Sequence, residues 1–400
     1  MGVFTDGGLY QYASYAMAWL FPYMIFICLC GFLSGVLHSF QKFTIPALLP
    51  IVLNTFFIAT SLYIGSSITD EKLQLKILCI AIVISGIVQL VILVPGLYKL
   101  GWRFKPLIYK ATTESRKLLK NFIPGLFSAG LYQINLVCDR LFAAWLGAYA
   151  VSSLYYSERL VYLPVGLFAV SIATVCLPLM SKAFAENKIG DVTESIFFSI
   201  KILNILCLPC VAVLCISGKE IISILFERGA FTADSLNDCY GALLFYSFGI
   251  PAYAIIKILR SAFFSQQDVK TPLKVSGVCF VLNIVLNLCL IGSMEQKGLA
   301  LATAISSTVN CLILFYILFK RFEGQSAQFK SLAITTGKQL LAVGIFIVFL
   351  LIMKDLSLNP IPSLIISLTT ASLIYFLSLI FLSKKETFAV VATVKKKLGF

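Results

Sequence analysis

Asp139 and Arg140 sit side by side in one long apolar stretch, and Glu158 and Arg159 sit side by side in the next. A charge in hydrocarbon costs roughly 2.5–3.5 kcal/mol on insertion scales, so each of these needs a partner or a task. The two stretches, 121–146 and 151–180, read as helices joined by a tight turn near Gly147–Ala150. At the rise of an α-helix, all four charges then lie at one depth, about 13–16 Å below the turn. Two arrangements fit them. In one, Asp139 pairs with Arg159 and Arg140 with Glu158, leaving a neutral layer. In the other, Arg159 faces a water-filled cavity, where its planar fork suits phosphate through two parallel hydrogen bonds. Lys257 and Arg260 add positive charge on one helix face, in a stretch with no acid. Snorkelling to the interface accounts readily for Arg260 and less well for the deeper Lys257. Arg140, Arg159, Lys257 and Arg260 are therefore the candidate substrate-binding residues, and an anionic, lipid-linked cargo is the expectation.

A second constellation consists of oxygen donors. Asn283 and Asn287 are four residues apart, hence stacked on one helix face. Thr303 lies on the following span at comparable depth. Together with Asp139 they offer carboxylate, amide and hydroxyl oxygens, the ligands of a hard cation such as Na⁺. The plainer alternative is that these groups hydrogen-bond across helices as packing glue. Neither a P-loop, an H-E-x-x-H nor a G-x-S-x-G occurs, so no catalytic set is expected and the chain does not read as an enzyme. The twelve cysteines fall mostly in apolar stretches, Cys207 and Cys210 among them, and read as small apolar side chains.

The elements that must position these groups are membrane helices. With 59% hydrophobic residues and a mean hydropathy of +0.94, the chain exceeds what a water-soluble core needs. In hydrocarbon the backbone must satisfy its own hydrogen bonds, which makes the spans helical. Windows of about 20 apolar residues predict eleven spans: 11–37, 45–66, 76–97, 121–146, 151–180, 195–217, 239–264, 272–293, 298–319, 333–353 and 361–383. If these alternate across the membrane, most Lys and Arg collect in one set of loops and in the tail 384–400. That bias places the C-terminus in the cytoplasm. The net charge of +14 then calls for anionic membrane lipid and no nucleic acid.

An internal repeat organises the chain. Ser39-Phe40-Gln41 and Pro46 recur as Ser265-Gln266-Gln267 and Pro272, 226 residues later, each at a corner between two spans. Parallel repeats of this kind are a transporter architecture. Three spans precede the second corner's first helix in its half and none precede that of the first. The expectation is that the start lacks three spans. The predicted domains are a three-helix remnant of a first lobe at 1–97 and an amphipathic connector at 98–120. A six-helix lobe follows at 121–322, then two extra helices at 333–383 and a basic tail.

Several blocks carry a family resemblance: FPYMIFICLCGFLSGVLHSFQKFTIPALLPIVLN at 21–54, YQINLVCDRLFAAWL at 132–146, SSLYYSERLVYLPVGLFAVSIATVCLPLMSKAF at 152–184, LFERGAFTADS at 225–235 and FFSQQDVKTP at 263–272. They resemble the MurJ (MviN) family of lipid II flippases, within the multidrug/oligosaccharidyl-lipid/polysaccharide exporter superfamily. The resemblance implies an all-α, two-lobe bundle like that of the MATE transporters, with two extra C-terminal helices lining a groove for a lipid tail. It implies alternating access in the bacterial inner membrane and an undecaprenyl-pyrophosphate-linked peptidoglycan precursor as cargo. The cell-wall synthesis machinery would be the protein partner. It implies that the family's essential arginine falls on Arg159 and that a sodium site falls on Asp139, Asn283, Asn287 and Thr303. The chain departs from the family at Tyr162, where a Glu is usual, and has no counterpart of the arginines on the family's first two helices. The competing readings are an exporter of another polyprenyl-linked glycan, a MATE-like drug or ion antiporter, and a truncated remnant without activity.

Overall fold

The computed structural model describes residues 8–40, 42, 44–101, 130, 133–229, 231–322, 326–354 and 360–382, and contains no strand among them. Most of the connector 98–120, the start of the 121–146 span and the tail 384–400 lie outside the described residues. The chain forms two compact units, 1–112 and 113–400.

The first unit is built of α1 (Gly8–Ser39), α2 (Thr44–Ser67) and α3 (Glu71–Lys99). Asp70 caps α3, its side chain accepting from the Lys72 backbone N–H at 3.0 Å. Helix α3 packs against both others, and Gly86 lets it approach α1 closely. A Cβ there would lie 2.8 Å from the Tyr23 ring. The small core comprises Cys30, Leu37, Leu49, Leu93 and Leu97.

The second unit opens with α4 (133–146), which turns at Gly147 (φ 135°) into α5 (Ala148–Pro164). A π-helical segment, Val165–Val170, joins α5 to α6 (Ser171–Ala185). Next come α7 (Ile189–Ile216), the short α8 (Gly218–Phe226), α9 (Ala233–Ser247) and α10 (Ile250–Ser265). The unit ends with α11 (Lys270–Arg321), α12 (Ser326–Lys354) and α13 (Pro360–Leu382). Helix α10 sits centrally, packed on α5, α6, α7 and α11. Its Ile250, Ala254, Ile258 and Ala262 are all fully buried.

Eight of these helical runs are long and apolar enough to cross a membrane, nine when α9 and α10, bent by 45°, count as one. Eleven were expected, and two circumstances account for the difference. The 121–146 span is only partly described. The second is α11, whose 52 residues are two helices joined at Glu295, where the backbone is non-helical (φ 52°, ψ −134°). Its Asn283 and Thr303 side chains come within 3.4 Å. In a straight helix twenty residues would separate them by about 30 Å, so the chain folds back at Glu295.

The two repeat corners share a backbone hydrogen-bond pattern. Leu37 C=O accepts from the Phe40 and Lys42 N–H groups at 3.2 and 2.9 Å. Phe263 C=O, 226 residues on, accepts from those of Gln266 and Asp268 at 3.1 and 3.0 Å. Leu37 and Phe263 are both fully buried.

Helices α12 and α13 dock on α7 through Ile202, Ile205, Ala212, Ala342, Phe346 and Tyr375. Pro209 lies inside α7 and lacks the N–H that would serve the Ile205 carbonyl. The Tyr375 hydroxyl on α13 donates to that carbonyl at 2.8 Å.

Candidate functional site

The four oxygen-bearing residues singled out by spacing meet in the second unit. Asp139 on α4 is 5% exposed, and Asn283 and Asn287 on the first half of α11 are buried. Asn287 Nδ2 donates to Asp139 Oδ1 at 2.8 Å and to Asn283 Oδ1 at 3.1 Å. Thr303, on the returning half of α11, donates to Asp139 Oδ2 at 3.4 Å. Two residues not anticipated complete the cluster. Asn135 donates to Asp139 Oδ2 at 3.3 Å, and Ser306 accepts from Asn283 Nδ2 at 3.4 Å. Both were findable in principle: Asn135 is one turn from Asp139, and Ser306 is three residues from Thr303 on the same face.

The charge balance of this cluster is unequal. No Lys or Arg lies within ion-pair distance of Asp139 among the described residues. The side-chain oxygens of Asn135 and Asn287 are buried there without a donor. A buried carboxylate beside acceptor oxygens with nothing to accept suits a bound hard cation through its donor chemistry. No group of three His, Cys, Asp or Glu among the described residues could hold a metal of another kind.

The charged layer is arranged differently from either expectation taken whole. Arg140 pairs with Glu158 at 2.5 Å, and the Tyr246 hydroxyl donates to the other Glu158 oxygen at 3.3 Å. Asp139 does not pair with Arg159, because the amides of α11 take it instead. Arg159 is exposed and forms no ion pair among the described residues. Its guanidinium donates to the Tyr155 hydroxyl at 2.9 Å and lies 4.8 Å from the centre of that ring. The aromatic face thus steadies the cation without neutralising it.

Lys257 and Arg260 face a cavity of about 130 Å³ inside the unit. Asp139, Glu158, Thr303 and Ser306 line the same space. Arg260 also donates to Ser276 Oγ at 3.0 Å. Arg140 and Arg159 do not line it, so the four candidate cations divide between two environments. Tyr162, the position of the family departure, faces the cavity and stacks on Tyr253 at 5.8 Å. A second feature is an apolar groove of about 550 Å³, lined by Leu340, Leu341, Ile345 and Val348 of α12 and Ile374 of α13.

The bundle, with its polar centre, defines an integral membrane protein of transporter fold. The MATE transporter VcmN of Vibrio cholerae superposes with a TM-score of 0.60 at 13% identity, over 78% of this chain and 70% of its own. The lipid II flippase MurJ in its inward closed conformation superposes with a TM-score of 0.74 at 23% identity, over 91% and 73%. Residues 5–369 match the family described as Lipid II flippase MurJ, and the chain belongs to that family. A probable lipid II flippase MurJ of Vibrio cholerae is 31% identical over 308 residues, 77% of this chain and 58% of that protein. The lipid II flippase MurJ of Burkholderia cenocepacia is 28% identical over 80% of this chain and 62% of its own length. The chain thus spans about three-fifths of these relatives.

Proposed function

We propose that this chain moves lipid II, a pyrophosphate-bearing, lipid-linked peptidoglycan precursor, across the bacterial inner membrane by alternating access. The observation that carries the reading is Arg159, a guanidinium left without an acid partner among the described residues and oriented by Tyr155. A fork with free donors binds a pyrophosphate bidentately and stays charged at any physiological pH. The apolar groove between α12 and α13 is the site for the polyprenyl tail. Asp139, Asn283, Asn287 and Thr303, joined by Asn135, hold a monovalent cation, and Na⁺ is the coupling ion. Half a turn of the Asn287 amide would aim its orphaned oxygen at that ion. The C-terminus faces the cytoplasm, among anionic lipids.

Complementation of a flippase-depleted bacterium tests the reading. Growth should return with the parent chain and fail with Arg159→Ala at equal membrane levels. Arg159→Lys, which keeps the charge but loses the fork, should restore growth only partially. Full growth with Arg159→Ala would remove the basis of the proposal.

A further inference from the structure

Release of a cation from Asp139 would leave a carboxylate that is 5% exposed, with amide and hydroxyl donors but no positive partner. A charge taken out of water and left alone costs several kcal/mol. A cycle that empties the site must therefore neutralise that charge, by taking up a proton or by bringing a cationic side chain to it. The candidates for the second route are the basic groups nearby. Arg140 is held by Glu158 at 2.5 Å, and Arg260 donates to Ser276 at 3.0 Å. Lys257 lines the cavity together with Asp139 and forms no ion pair among the described residues. Its ammonium rides on a flexible four-carbon stem, whereas a guanidinium is a rigid fork. It also sits on α10, beyond the 45° bend that follows α9.

We infer that Lys257 is a built-in competitor of the mobile cation: its ammonium moves to Asp139 when the ion leaves and is displaced when the ion returns. This rests on the cation site proposed above. The exchange keeps the charge of the cavity balanced in both states. It also lowers the apparent affinity for the free ion, since the ion must first evict a tethered rival.

The test uses the purified full chain in detergent, with Na⁺-dependent thermal stabilisation read against choline at equal ionic strength. Lys257→Gln should tighten the apparent Na⁺ affinity roughly fivefold or more. A response that appears only in Lys257→Gln supports the inference equally, the rival having masked the site in the parent. Asp139→Asn should abolish the response in either background. If Asp139→Asn abolishes it and Lys257→Gln leaves the affinity unchanged, Lys257 is not the competitor, although the cation site stands. If neither the parent nor Lys257→Gln responds, both readings fall. Should Lys257→Gln not fold, labelling of the unaltered protein with a small amine-acylating reagent decides the matter. Modification of Lys257, read by mass spectrometry, should rise with added Na⁺, and labelling indifferent to Na⁺ overturns the inference.

Discussion

At the corner between α10 and α11, the Asp268 carboxylate accepts from the Thr271 N–H at 3.0 Å, the Thr271 hydroxyl at 2.7 Å and Arg321 at 2.5 Å. Burial alone would raise its pKa, but Thr271 and Arg321 outweigh burial and hold the carboxyl at about 2, below its ordinary 3.8. A folded value below the unfolded one means a stabilisation that is complete above about pH 4 and lost as pH falls through 2. Asp268→Asn should therefore lower the unfolding temperature at neutral pH and flatten its decline between about pH 4 and 2. Identical acid sensitivity in the variant, by thermal unfolding in detergent, would show that the corner does not depend on this charge. Some of what single residues do was legible from spacing. Asn283 and Asn287 had to share a face, and Thr303 had to return to their depth. The partner of Arg159 was not legible, because a cation held by the Tyr155 ring and hydroxyl leaves no acid in the pattern. Nor was the choice of Asp139 between Arg159 and the amides, which side-chain direction across α4, α5 and α11 decides.

Two breaks of regular helix within apolar stretches matter at the scale of elements; proline marked the first as irregular in the sequence, and nothing in the hydropathy marked its π-helical form or the second break. The 151–180 and 239–264 windows read as single spans. The first contains the π-helical segment just after Pro164, and the second is divided at Phe248–Gly249. Hydropathy windows report the length of an apolar run and nothing of its backbone path. At the second break, a Cβ on Gly249 would lie 2.3 Å from the Tyr253 ring. Gly249→Ala should thus push Tyr253 off its stack on Tyr162, at a cost of about 1–3 kcal/mol. In a Tyr253→Leu background the same change should cost far less, and a double-mutant cycle on unfolding free energies measures the coupling. Additive costs would show that the two residues act independently. Tyr375 makes the complementary point for α13. Its hydroxyl serves the carbonyl that Pro209 leaves open, so Tyr375→Phe should cost about 1–3 kcal/mol. Replacing Pro209 by Ala restores the helical N–H, and the Tyr375→Phe penalty should then shrink. An equal penalty in both backgrounds would show that the hydrogen bond to Ile205 is not what Tyr375 contributes.

Across the molecule, the repeat permits position-by-position comparison of the two units, each taken by itself. Met17, Phe21, Met24, Cys28 and Phe32 follow one another at helical spacing on one face of α1, and all are exposed. Their counterparts 226 residues on are Leu243, Ser247, Ile250, Ala254 and Ile258, and all are fully buried. The shared corner was readable as a sequence pattern; this difference in burial was not, because it depends on which helices pack against each copy. In the second unit α10 is covered by α6 and α7. The same helix position therefore carries different energetic weight in the two units. Ile258 is 0% exposed, so Ile258→Ala opens a cavity in a close-packed core and should cost about 2–5 kcal/mol. Phe32 is 69% exposed, and Phe32→Ala should change stability by only about 0.5 kcal/mol. Hydrogen–deuterium exchange of the full chain in detergent separates the two units. Ile258→Ala should speed exchange through α6, α7 and α10, while Phe32→Ala should leave α1, α2 and α3 as protected as in the parent. Equal loosening by Phe32→Ala would mean that the α1 stripe is engaged as tightly as its counterpart, and that burial in the second unit is not what distinguishes the two copies.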